Sequence, residues 1–428
     1  MRILIATVWL VLFAMTGVAQ AATSDDIVYR VKRGDTLISL GEKYFARSDD
    51  YLKVQKANGI RDPHAIAVGT QLRIARSVLK FRSSKAQIVS VRGNVTVNGA
   101  AAASGAVLNE GVTLRTAGSS FATISLENGS RVSLPSNSDL KIVRLRRYVI
   151  DSSLDYDFEV GRGGAKSKVT PMTNANDRYI VKTPKAVSAV RGTDFQARYD
   201  EASDSDFSEV TEGALAVALP GAAESALPAG NGLSVKAGGA VIREALLPAA
   251  KVDGAGRLQS EKSVSFALPK SANVSALRVT LASDAGFVEQ VADGNFNGDT
   301  ALFEGLGDGN YFARFRSVSP SGIEGMPATY AFKRRLNSVA ASSGKSDLGF
   351  AFKWLAEGNG VQRYHFQLYR DRPEGVAMVD EAGLNSQQIS LSDLPAGDYY
   401  WRVASVQYLD GDVSTNWTTF EKLTITAE

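Results

Sequence analysis

The chain has no cysteine, which excludes disulfides, thiolate nucleophiles and thiolate-bound metals. Histidine is scarce: His64 and His365 are the only two in 428 residues. They lie far apart in sequence, so neither a His-based triad nor a histidine-rich zinc site is expected. No excess of one charge exists either, with 48 Lys plus Arg against 45 acidic residues and a formal net charge of +3. Nucleic acid is therefore not an expected partner. Long apolar runs are missing after the first residues. The run from Ile3 to Ala14 follows Met1-Arg2 and precedes Ala19-Gln20-Ala21. It is short for a spanning helix and reads as a secretory signal peptide, residues 1–21, cleaved after Ala21. Export to the cell envelope, most simply the periplasm, is the expectation.

What is present begins with a dense motif over residues 27–74. Its skeleton is Tyr29, Val31, Gly34-Asp35-Thr36-Leu37, Leu40, Tyr44, Asn58-Gly59-Ile60, Pro63, Ile66, Gly69, Leu72 and Ile74. A short strand near Val28 to Val31 ends at the Gly34 turn. Asp35 or Thr36 can cap a helix whose inner face carries Leu37, Leu40 and Tyr44. Asp49 and Asp50 favour a second helix start, with Tyr51 and Val54 inside and Asn58-Gly59 as its stop. Gln71 to Ile74 closes a βααβ unit.

That series resembles the LysM domain, and the resemblance implies binding of glycans containing N-acetylglucosamine, above all peptidoglycan. It implies a shallow groove between two loops, formed by Gly34, Asp35, Thr36 and Leu37 facing Asn58, Gly59, Ile60, Pro63 and Ile66. Exposed backbone near glycines suits the acetamide, and apolar side chains suit its methyl group. Arg61 and His64 are further contacts to consider, although solvated loop side chains is their simpler reading.

A basic stretch, residues 75–85, reads as a linker. Short β-runs then follow in close succession: Gln87 to Val91, Val95 to Val97, Val112 to Leu114, Phe121 to Leu126 and Arg131 to Leu134. This spacing predicts an all-β domain. The run Lys141–Arg147 (KIVRLRR) predicts a strand with a solvated basic face. Two segments, Asn109 to Ser130 and Thr183-Pro-Lys-Ala-Val-Ser-Ala-Val-Arg-Gly-Thr-Asp-Phe195, resemble the FecR-type periplasmic domain. The resemblance spans about residues 86–218 and implies a protein-interaction module. Arg191 in the second segment is expected to donate to backbone carbonyls and lock neighbouring strands. Residues 219–250, rich in Ala, Gly and Pro, read as an extension and linker with short strands at Gly232 to Lys236 and Ala240 to Arg243.

The remainder repeats. Leu306 to Val318 aligns with Leu394 to Val406, which places two β-sandwich units at 251–335 and 336–428. Their YYWRV strand resembles fibronectin type III-like domains, with Tyr399 and Trp401 on one face and Tyr400 and Arg402 on the other. Asp293 to Glu304 satisfies the written EF-hand pattern, but Ala301 to Leu306 reads as a strand and the needed helices are missing, so a solvated turn is expected and no metal site.

The reading is thus a multidomain, mainly β chain: a βααβ LysM module, an all-β FecR-type domain and two sandwich repeats. It is expected to be non-catalytic, without cofactor or metal, bound to peptidoglycan and facing an envelope protein partner. The carboxylate pairs Asp155/Asp157 and Asp204/Asp206 show no sign of a pKa-raising cleft. The alternatives are an extracytoplasmic sensing or assembly factor acting through the FecR-type domain, and a peptidoglycan hydrolase of unrecognised fold.

Overall fold

The computed structural model describes residues 25–252, 258–269, 271–347 and 349–426. The signal-peptide expectation falls outside them. Among the described residues, no helix is long and apolar enough to cross a membrane. The chain divides into two compact units. Of the described residues, one unit holds 25–249 with the segments 288–293 and 317–326, and the other holds the rest.

Within the first unit, strand Asp26–Arg30 pairs antiparallel with Gln71–Ala75. Helices Leu37–Tyr44 and Tyr51–Asn58 lie between them in sequence. Leu37, Leu40, Val54, Leu72 and Ile74 are all at most 2% exposed, as the helical and strand periods require. Gly59 ends the second helix in the left-handed region, φ 63°. A side chain with a Cβ is disfavoured there.

Residues 75–85 are not a linker. Arg76–Val78 forms a 3-10 turn, and Phe81–Ser83 pairs with Arg146 to Tyr148. Val78 and Leu79 join the module's core, together with Tyr148 and Ile150 from beyond it. The apolar members of this stretch are covered by the next domain, which a reading of the stretch alone could not reveal.

Strands from Phe81 to Ala245 close into a barrel. Its pivot is the 15-residue strand Leu154–Lys168. The first part pairs with Asp139–Tyr148 and, in parallel, with Arg178–Lys182. The second part pairs with Arg131–Leu134 and Asp194–Asp200. The change falls at Gly161-Arg162-Gly163-Gly164. Gly163 has φ +67°, and a Cβ there would lie 2.4 Å from both Asn137 O and Ser138 Oγ. Only glycine fits this corner. The Ala/Gly/Pro-rich stretch 219–250 belongs to the barrel: Ser225–Pro228, Asn231–Val235 and Val241–Ala245 are strands of it.

The second unit contains two sandwiches. Strand Gly309–Val318 of the first matches Gly397–Leu409 of the second. Tyr399 and Trp401 are fully buried among Phe352, Phe366 and Val403, while Tyr400 and Arg402 lie on the other face. The repeat extends to one hydrogen bond. Tyr311 Oη donates to Gly307 O at 3.1 Å, and Tyr399 Oη donates to Pro395 O at 2.8 Å. Asp293 to Glu304 runs through the strands Gln290–Phe296 and Thr300–Phe303. No helix flanks it, so the EF-hand pattern there has no EF-hand frame.

Candidate functional site: the two-loop groove of the N-terminal module

The loop after the first strand and the loop after the second helix meet side by side. Leu37 N donates to Pro63 O at 2.9 Å, Val31 N to Thr70 O at 2.9 Å and Gly69 N to Val31 O at 2.8 Å. These bonds fix the floor between them.

Thr36, rather than Asp35, caps the first helix. Ser39 N donates to Thr36 Oγ1 at 3.0 Å and Thr36 N to Ser39 Oγ at 2.9 Å, a reciprocal capping box. Asp35 instead holds the turn. Its Oδ2 accepts from Tyr29 Oη at 2.8 Å and from Lys32 N at 2.7 Å. Burial pushes the Tyr29 phenol up, and the Asp35 carboxylate adds to it.

Gly34 is exposed, φ +89°, with open space where a Cβ would point. It leaves room for a ligand to approach backbone. Leu37 is fully buried, so only its backbone faces the loops. Asn58 is likewise occupied: its Nδ2 donates to Val54 O and Arg73 O, and its Oδ1 accepts from Arg73 N, all at 2.8 Å. Gly59 is exposed, and Ile60, Pro63 and Ile66 are half-buried, with Ile60 and Ile66 resting against the module's core. Gln55 Nε2 donates to Ile60 O at 3.0 Å and bends that loop inward. Arg61 and His64 are exposed. The structure thus gathers all nine residues around one pair of loops. Gly34, Gly59, Ile60, Pro63 and Ile66 offer accessible surface, whereas the side chains of Asp35, Thr36, Leu37 and Asn58 build the frame.

On the barrel, Arg191 donates to the carbonyls of Ala175, at 3.0 Å, and Asn174. Backbone carbonyls are its targets, but on a loop rather than a neighbouring strand. The Lys141–Arg147 face is ion-paired: Arg144 to Asp157, Arg146 to Glu110 and Arg147 to Glu127. A solvated basic face was the expectation. Carboxylates supplied by another strand (Asp157) and by two turns (Glu110, Glu127), invisible in the local run, overturn it.

The carboxylate pairs also resolve. Asp155 is fully buried against Arg178 with two bonds of 2.8 Å. Burial pushes its carboxyl up, but the bonds and charge of Arg178, with Arg76 and Arg144, outweigh this and hold it below the ordinary value. Asp206 is buried too, and burial raises it, contrary to expectation. It accepts from Thr183 Oγ1 and, at 2.7 Å, from Lys185 N, so it anchors the Thr183-Pro184 turn.

One feature escaped the sequence. Arg131, Lys168, Asp194 and Glu212 are direct cross-strand partners in one row. They border a cleft of about 350 Å³ with Thr170, Gly192 and Thr193. Register alone assembles them, and no local motif could show it.

Two family models match parts of the chain. The LysM domain family matches residues 29–75, and the FecR protein family matches residues 112–216. No curated protein matches the chain. Among solved structures, one described as an anti-sigma factor of Parabacteroides distasonis is 18% identical, TM-score 0.27, over 31% of this chain and 59% of that one. The chain therefore spans under two thirds of that relative. A two-domain fibronectin type III segment of chicken tenascin is 15% identical, TM-score 0.22, over 40% of this chain and 96% of that one. The FN1–FN3 domains of chicken CNTN1 are 11% identical, TM-score 0.21, over 56% and 94%.

Proposed function

We propose that the protein is a non-catalytic envelope component, held to peptidoglycan by its LysM module and presenting the barrel and the sandwiches to a protein partner in the periplasm. LysM domains bind peptidoglycan-type glycans, and FecR domains are envelope sensing or signalling domains. The observation that carries the reading is the groove: exposed Gly34 and Gly59 backbone beside the half-buried Ile60, Pro63 and Ile66. A neutral N-acetyl sugar needs that combination of backbone polar groups and apolar cover. Gly34, Asp35, Thr36, Leu37, Asn58, Gly59, Ile60, Pro63 and Ile66 remain its proposed binding set, four of them as frame.

Pull-down of the purified protein with isolated sacculi tests this. Wild type should sediment with sacculi, and Gly34→Val should not, since it adds bulk at an open backbone position. Equal sedimentation of both would remove the groove from the reading. Release of muropeptides during the assay would point to a hydrolase instead.

A second reading, a sensing or assembly factor, is favoured by the charged row beside Gly192. Two cations next to two anions suit a dipolar protein surface. Crosslinking in cells with Arg131→Glu and Glu212→Arg should lose the partner if this row is the contact.

A further inference from the structure

We infer that the barrel completes the glycan-binding module, and that Asn176, braced by Arg191, is the positioning residue tying the groove to the barrel. The functional half of this inference rests on the glycan reading; the structural half does not.

Three observations converge. First, the module's core is not its own. Tyr148 and Ile150, at 1% and 6% exposure, sit among Ile27, Leu40, Phe45 and Ile74. Removing them would open the module's apolar interior to water.

Second, a barrel side chain meets the outer edge of strand Asp26–Arg30 at Val28. Val28 N donates to Asn176 Oδ1 at 3.0 Å, and Asn176 Nδ2 donates to Val28 O at 3.1 Å. A carboxamide carries a donor and an acceptor side by side, so Asn176 imitates a neighbouring strand at Val28. A bare edge is otherwise a place for fraying or wrong pairing.

Third, Asn176 is itself held from behind. Its carbonyl accepts from the buried Arg76 at 2.6 Å, its N–H donates to Asn174 Oδ1 at 3.0 Å, and its amide also reaches Asp151 Oδ2 at 2.8 Å. Arg191 grips the carbonyls of Asn174 and Ala175. The contact sequence therefore runs from the Arg191 motif, through the 174–176 loop, to Val28. Val31, three residues on, makes the two bonds to Gly69 and Thr70 that set the groove floor. Nothing in this sequence of contacts is a flexible tether.

The function follows from the geometry. The groove keeps a fixed attitude to the barrel, so load or tilt on a wall-bound module reaches the Arg191 loop directly. The Arg191 motif is then a coupling device.

Amide hydrogen exchange and binding of a chitin oligosaccharide on the full chain test this. Asn176→Ala and Arg191→Ala should each speed exchange at residues 26–31 and 69–71 up to about tenfold, the scale of one hydrogen bond lost. Strand Phe121–Leu126 should keep its protection. Both variants should bind the oligosaccharide more weakly. The double variant should be no worse than Asn176→Ala alone, because both act on one path, and Arg191→Lys should recover part of the loss. Unchanged exchange at 26–31 in Asn176→Ala, or fully additive effects, would overturn the inference. If Arg191→Ala unfolds the barrel, seen as lost protection at 121–126, Asn176→Ala and Arg191→Lys decide the matter. If wild type binds no oligosaccharide, the glycan reading fails while the exchange result still decides the coupling.

Discussion

Asp35, Thr36 and Asn58 hold the module's loops in place from within, and each makes a separate energetic claim. Thr36→Ala removes a reciprocal cap and should cost about 1 kcal/mol, read as a lower Tm for the full chain's first transition. The sequence showed that Asp35 or Thr36 would cap. Which one, and where the other points, depended on Tyr29 lying within reach of Asp35, a contact across the turn that spacing does not encode. The same limit hid the fate of Asn58, at the end of the second helix, whose amide is bound to Arg73 of the closing strand. On the barrel, Asp155 makes a pH prediction. Its folded carboxyl lies below the unfolded value of about 3.9. Its contribution is therefore complete above about pH 4 and is lost as the pH falls through the lower folded value. Asp155→Asn removes the buried counter-charge of Arg178 and leaves only the exposed Asp25, at 2.9 Å, beside it, which should cost about 3 kcal/mol at neutral pH. Urea titrations at about pH 7 and about pH 3 should show a large difference from wild type at the first and a smaller one at the second. Equal differences would mean that Asp155 is not the acid-sensitive group.

Elements were legible where apolar period and turn residues coincide. Phe121–Leu126 and Arg131–Leu134 occupy the positions that alternation and the intervening Asn128-Gly129 require. Elements were lost where burial comes from elsewhere. Phe81–Ser83 is exposed along its length, so its pairing with the 139–148 strand leaves no apolar signature. The long strand Leu154–Lys168 was also unread, because its run of polar and glycine residues hides a strand that changes partners. Gly163→Ala tests that corner. A Cβ would meet Asn137 O and Ser138 Oγ at 2.4 Å, in a backbone region of positive φ. About 1–3 kcal/mol of destabilisation is expected from strain of this kind, visible as a lower Tm with the LysM module and barrel melting together. Gly161→Ala, where nothing lies within 4 Å, is the matched control and should change little.

At the scale of the whole molecule, the chain's repeats and motifs located the domains correctly in kind, yet the joints between them are more rigid than composition suggested. The LysM module is fused to the barrel through Tyr148, Arg76 and Asn176. A comparable seam joins the two sandwiches. Asp308 of the first accepts from Leu336 N and, at 2.7 Å, from Asn359 N of the second. Gln407 Nε2 reaches Asp308 Oδ2 at 3.5 Å, and Arg335 reaches Asp412 at 2.6 Å. Gly358 approaches so closely that a Cβ would lie 1.7 Å from Leu336 O. These groups come from distant parts of the sequence, and only the folded repeats bring them together, which is why 335/336 looked like an ordinary boundary. The seam should make the two sandwiches unfold as one cooperative unit. Asp308→Ala leaves two backbone N–H groups without their acceptor, a loss of about 1–3 kcal/mol for each that stays buried. Calorimetry of the full chain should then show the sandwich transition split in two, and small-angle scattering should show a larger maximum dimension as the joint loosens. A single, merely shifted transition with unchanged scattering would mean that the joint holds without Asp308.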